Sequence, residues 1–169
     1  MVTVGMVAIL ASLAVPSFRT MLVKRSLQAA ADSLVSDMRL ARSEALKRST
    51  RTVICRSTSG TDCDATAGSW SVGWIVFVDM SVPPNGRVDP GDDVVRVQQA
   101  LPNIASIQDD ANPTNTIHTF KYEPTGWAKG AMQTFNFTPD GSVPAGSKRL
   151  VCVSGNGRPA LRAEGTIAC

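Results

Sequence analysis

A single histidine, His118, four cysteines and no Cys-x-x-Cys pair leave this chain poor in the ligands that hold zinc. No Gly-x-Ser-x-Gly occurs, no motif sets a nucleophile beside His118, and Gly155-Asn156-Gly157 is too short for a phosphate-binding glycine fingerprint. We therefore expect no enzyme, no metal and no cofactor. The net charge of +3 does not by itself call for a nucleic-acid partner. The most telling absence is local: from Met1 to Phe18 (MVTVGMVAILASLAVPSF) there is no charged residue at all, and Arg19, Lys24 and Arg25 follow at once.

An uncharged run of this length, at about 1.5 Å rise per residue, spans about 27 Å and can just cross the hydrocarbon of a bilayer. It has no basic n-region, and the helical pattern continues past it, so it reads as a retained anchor and not as a cleaved signal. Pro16 removes one helical hydrogen bond and is expected to kink the helix without ending it. From Leu27 the apolar positions Leu27, Ala31, Leu34, Met38, Ala41 and Ala45 step by four and three, while Gln28, Asp32, Arg39, Ser43 and Lys47 take the opposite side. One helix from about residue 2 to about 49 follows, on the order of 70 Å long. Residues 1–18 are the lipid or filament-core half, 19–50 an amphipathic half, and 51–169 a head domain.

A wholly apolar start, a proline some sixteen residues in and an amphipathic second half resemble the N-terminal helix of type IV pilins and type II secretion pseudopilins. In that family a short basic leader, a cleavage-site glycine and a segment similar to Phe-Thr-Leu-Ile-Glu-Leu precede the position of Met1. As written the chain starts after them, at an internal methionine or a trimmed end. The peptidase site, methylated N-terminus and assembly glutamate carry over to no residue here.

The 120 or so residues behind the helix have room for one compact domain. Their charge is segregated: residues 1–56 carry nine Lys/Arg against three Asp/Glu, 57–128 three against nine, and 129–169 five against two. The basic last segment is either a solvated surface or a patch for a polyanion. The cysteines fit disulfides, which persist outside the cytoplasm. Of three possible pairings we expect the local ones, Cys55 with Cys63 and Cys152 with Cys169, each closing a loop rich in Ser, Thr, Gly and Asp.

Behind the helix the hydrophobic period changes. Strands are expected at 52–55, 70–79, 94–99, 104–107, 117–122, 132–137, 149–154 and 159–163, separated by Gly, Pro, Asn and Asp turns. Trp70 to Asp79 (WSVGWIVFVD) is the strongest, near-continuous in apolar residues and so buried on both faces, with Val94 to Gln99 as its partner. Ser81 to Asp93, with three prolines and an Asn-Gly pair, is a loop. The sum is an α+β chain in which an antiparallel sheet or sandwich packs on the striped face of the helix.

The head sharpens the resemblance. Gly73-Trp74-Ile75-Val76-Phe77-Val78-Asp79, Asn85-Gly86, then Asp89-Pro90-Gly91-Asp92-Asp93-Val94-Val95-Arg96 are similar to the signature of the pseudopilin H and FimT/FimU branch. Phe137-Thr138-Pro139-Asp140-Gly141 and Leu150-Val151-Cys152-Val153-Ser154 look like its later landmarks. The resemblance implies a type IV pilin-like fold, other pilins or pseudopilins and an inner-membrane assembly platform as partners, and a single-pass inner-membrane protein with a periplasmic head, in lipid until assembled.

Asp79, Asp89, Asp92 and Asp93 invite a calcium reading, but Pro83 and Pro84 fall where an EF-type loop needs a ligand and its glycine, so we read turn-capping aspartates. Trp70, Trp74 and Trp127 could stack bases, although Trp74 reads as core. The sharper candidate is basic: Lys148, Arg149, Arg158 and Arg162, with Lys129. FimT-type minor pilins, which this segment resembles, bind DNA through a C-terminal Gly-Arg-x-Arg motif. Gly157 and Arg158 match it, and the second arginine is displaced to Arg162. In an extended strand Arg158 and Arg162 lie on one face, about 13 Å apart. Double-stranded DNA, held without sequence preference during natural transformation, is the expected ligand; a purely structural role is the alternative.

Overall fold

The computed structural model describes residues 2–66, 68–109, 119–129, 133–141 and 146–165, with side chains from residue 18 onward except those of 109 and 129. One helix, α1, runs Val2–Arg48 without a break through Pro16. All six expected stripe positions, Leu27, Ala31, Leu34, Met38, Ala41 and Ala45, are fully buried, and Ala30 and Val35 widen the stripe. The helix ends as the last-turn cations Lys47 and Arg48 predict. Ser49 turns into the left-handed region at φ 52°, and the Thr50 N–H closes back onto the Ala45 carbonyl at 3.3 Å. Arg48 then grips Glu44 and Asp93, each at 2.7 Å, fastening the helix end to the sheet.

Among the described residues nine strands form two antiparallel sheets. The first has the order β3-β2-β1-β5-β6, with β1 Thr52–Arg56, β2 Trp74–Val78, β3 Asp93–Gln98, β5 Thr119–Tyr122 and β6 Ala128–Lys129. The second has the order β4-β7-β8-β9, with β4 Ile104–Asp109, β7 Gln133–Pro139, β8 Arg149–Val153 and β9 Pro159–Ala163. Strands of both sheets lie against α1.

β2 is buried along its whole length, as its apolar run implies. Trp74 and Val76 join the core beneath the helix. Ile75 and Phe77 point the other way and, with Val53 and Cys55, form a second small core covered by Cys63, Val88 and Val94. Disulfide Cys55–Cys63 and the Pro/Gly loop after β2 are therefore the outer lid of that strand.

The strand expected from Trp70 onward begins only at Trp74. Trp70–Val72 is a turn of 3-10 helix, its first N–H groups satisfied by Ser69, whose Oγ accepts from the Ser71 N–H at 3.1 Å. Gly73 follows at φ 114°, and a Cβ there would stand 2.4 Å from the Gln98 carbonyl oxygen, so the backbone bends where it meets the end of β3. Trp70 still reaches the core, edge-on to Phe135 at 5.4 Å. The short β6 was not expected, β7 runs on to Pro139, and 117, 118 and 132 lie outside the described residues.

One polar group on the inner face of α1 ties helix to sheet. The Trp74 indole N–H donates to Asp37 Oδ2 at 2.9 Å, and Arg96 on β3 lies 3.3 Å from Asp37 Oδ1. Burial pushes the Asp37 carboxyl above its ordinary range, opposed by the Trp74 hydrogen bond and the Arg96 charge. The folded chain thus holds that proton more tightly than the unfolded one. This contribution to stability is fully present below the ordinary aspartate range and is lost as pH rises through the raised folded value. Asp37→Asn, which keeps an acceptor for the indole, should flatten this part of the pH–stability profile in urea melts and be no less stable than wild type at neutral pH. Asp37→Ala leaves the buried N–H unpaired and should cost about 1–3 kcal/mol.

Candidate functional site

The basic C-terminal segment folds as a hairpin, β8 against β9, with Val151 opposite Leu161 and Val153 opposite Pro159 facing the core. Its tip is a tight turn: the Ser154 N–H donates to the Arg158 carbonyl at 3.1 Å and the Gly157 N–H to the Ser154 carbonyl at 2.8 Å. Gly157 sits at φ 76°, where a Cβ would stand 2.9 Å from the Ala128 Cβ and 3.0 Å from Tyr122 Cε1. The absent side chain lets the tip press onto β5 and β6, and the Tyr122 hydroxyl locks it by donating to the Gly157 carbonyl at 2.9 Å. Burial raises the Tyr122 pKa, so the phenol keeps its proton and stays a donor.

The expected cations fare differently. Arg158 is exposed and lines an open cavity of about 260 Å³ together with Arg39, Arg42, Ser43 and Leu46 of α1 and Pro159. Arg162 is exposed on β9, where it pairs with Leu150, facing away from the core. Lys148 is exposed beside Glu164, which accepts from its N–H at 3.3 Å. Arg149 is engaged: its Nε donates to Gln28 Oε1 at 2.8 Å and its Nη1 to the Lys148 carbonyl at 3.0 Å, tying β8 to the helix. Lys129 lies on β6 opposite Lys121, and its side chain is outside the described residues. Sequence reasoning put Arg39 on the polar side of the helix and passed over Arg42; the only signal was a basic pair three apart on one helical face.

The other candidates resolve into structure. Asp79 is buried and accepts from the Ser81 N–H at 3.2 Å and the Gly86 N–H at 2.7 Å. Asp92 accepts from the N–H groups of Met80 at 2.7 Å and Asp89 at 2.9 Å, while Asp89 accepts from Ser81 and Asn85. Asp79 and Asp92 thus cap turns as expected and Asp89 braces the same loop through side chains, whereas Asp93 opens β3 and pairs with Arg48. Cys55 and Cys63 are bonded as expected. Cys152 is also in a disulfide, and Cys169 lies outside the described residues. Trp74 is core, whereas Trp127 is 62% exposed.

A single long helix carrying two antiparallel sheets on its striped face defines the class of type IV pilin-like subunits, which are structural proteins and not enzymes. The chain belongs to one family within it: the model of type II transport protein GspH matches residues 30–157. Its fold is that of the type IV minor pilin FimU of Pseudomonas aeruginosa PAO1, at TM-score 0.61 and 18% identity over 84% of this chain and 95% of that one. A second crystal form of FimU gives 0.56 and 19%, over 83% and 98%. The minor pseudopilin EpsH of the Vibrio cholerae type 2 secretion system matches at 0.55 and 14%, over 83% and 99%. No curated protein matches the chain. Among the described residues no helix is long and apolar enough to cross a membrane, and the side chains of the uncharged run up to residue 17 lie outside them.

Tyr122→Phe removes the donor to the Gly157 carbonyl and should lower stability by about 1–3 kcal/mol in denaturant melts. Amide exchange at Gly157 and Arg158 should quicken more than in β7, because the pin acts on the tip.

Proposed function

We propose that this chain is a FimT-like minor pilin of a type IV pilus, which joins the filament through α1 and binds DNA without sequence preference during natural transformation. The observation that carries the reading is the exposed pair Arg158 and Arg162, on a hairpin braced against the rest of the head, with no acidic partner among the described residues. Arginine forks on an exposed rigid turn reach phosphates without reading bases. Lys148 extends the positive surface, Lys129 adds a further basic residue on the backbone of β6, and Arg149 contributes charge while holding β8 in place. Residues 1–18 sit in the bacterial inner membrane as a single span, kinked at Pro16, until the assembly platform draws the subunit into the filament among other pilins. Residues 19–50 pack the head, and 51–169 form it in the periplasm, with Cys152 and Cys169 as its second disulfide.

A second reading rests on the family model and on the likeness to EpsH: an H-type pseudopilin or a tip or priming minor pilin, in which the same cations only dress a protein interface.

Anisotropy titration of the full chain in detergent micelles with a labelled DNA duplex separates the two. With about four phosphate contacts, log affinity should fall against log salt with a slope of roughly −3 to −4. Arg158→Ala/Arg162→Ala should weaken binding and flatten that slope. Absence of binding at low salt, or binding unchanged in the double variant, leaves the structural role alone.

A further inference from the structure

Arg39 and Arg42 on the helix and Arg158 at the hairpin tip, more than a hundred positions apart in sequence, line one open cavity. None of the three has a hydrogen bond or ion pair to an acidic group among the described residues. The helix carboxylates are engaged elsewhere. Glu44 takes Arg48 at 2.7 Å and Lys47 at 3.9 Å, Asp32 accepts from Gln28 at 3.0 Å, and Asp37 faces Trp74 and Arg96 on the buried side. Three like charges held around one space repel each other unless an anion sits between them. The fold nonetheless fixes them there, through the Tyr122 hydrogen bond and the close approach of Gly157 to Ala128.

The chemistry of the rim narrows the anion. Leu46, half exposed, forms part of the cavity wall and is also the side chain that meets Gly126. Guanidinium forks grip a phosphate through paired N–H groups, and the half-exposed Leu46 in the same wall offers apolar surface to the sugar of a phosphodiester. A lipid phosphate fits the forks equally well but lies out of reach. Arg39 stands twenty-one residues beyond Phe18, about 32 Å along the helix from the end of the uncharged run.

We infer that Arg39 and Arg42 complete, with Arg158, a phosphodiester cradle, so that a bound nucleic acid runs from the hairpin tip onto the helix and not along β9 alone. This rests on the DNA-binding reading above and assigns to it two residues from the other end of the chain.

The test is anisotropy of the full chain in micelles with a labelled duplex over a salt series, comparing Arg39→Gln/Arg42→Gln with Arg158→Gln/Arg162→Gln and with Lys24→Gln/Arg25→Gln. The last pair makes the same charge change on the same helix, away from the cavity. The cradle requires Arg39→Gln/Arg42→Gln to lower the salt slope by roughly 2, at about 0.9 per lost phosphate contact, and Lys24→Gln/Arg25→Gln to leave it unchanged. Arg39→Lys/Arg42→Lys should recover most of the slope. If only Arg158→Gln/Arg162→Gln lowers the slope, the cradle is wrong and DNA binding stands; if wild type binds no duplex at low salt, both fall. Competition by poly-glutamate as effective as that by unlabelled DNA of equal charge, with the same dependence on Arg39 and Arg42, would overturn the phosphodiester assignment in favour of an acidic protein segment. Displacement by vesicles of anionic lipid as effective as by that DNA would overturn it in favour of a membrane surface.

Discussion

Burial of the helix stripe from Leu27 to Ala45 is the constraint on which the rest of the head depends. Strands β1, β2 and β5 of one sheet and β7, β8 and β9 of the other lie against the same helix. The stripe mixes large side chains, Leu27, Leu34 and Met38, with small ones, Ala31, Ala41 and Ala45, so the strands approach closely at the alanines and interlock at the larger residues. Asp37 is the exception on that face. Its position is tolerable because the Trp74 indole and the Arg96 guanidinium answer it from two strands, which also fixes how the sheet is rotated on the helix.

The first sheet is covered twice, by the helix on one side and by two loops on the other. The loop closed by Cys55–Cys63 and the loop braced by Asp79, Asp89 and Asp92 have few apolar residues of their own. They hold their shape through hydrogen bonds that backbone N–H groups donate to carboxylates, and each contributes one apolar residue, Cys63 or Val88, to the small core over Ile75 and Phe77. The aspartates that looked like metal ligands in sequence thus work as an internal scaffold for a lid.

What the sequence disclosed follows from the range of the forces involved. The stripe, β2 and the aspartate loop are local patterns, and each is legible because its period or turn chemistry sits within a dozen residues. The turn at Trp70–Val72 was hidden because its cause, the Gln98 carbonyl against Gly73, comes from another strand. β6 was hidden because two residues pair only where Lys121 and Tyr122 already wait. The engagement of Arg149 with Gln28 and the meeting of Arg158 with Arg39 and Arg42 join the ends of the chain, and no spacing announces them. Basic residues could be counted in sequence, but which were free and which were engaged could not.

The pin between Tyr122 and Gly157 also bears on the energetics of the proposed capture of DNA. A glycine-rich tip left loose would have to surrender roughly 1–2 kcal/mol of backbone entropy per residue on meeting a ligand. Here the turn is already ordered by one phenol and by the absence of a single Cβ, so that loss was incurred when the head folded. In the proposed role, encounter with a polyanion would need little search of loop conformations, and long-range attraction would govern its speed.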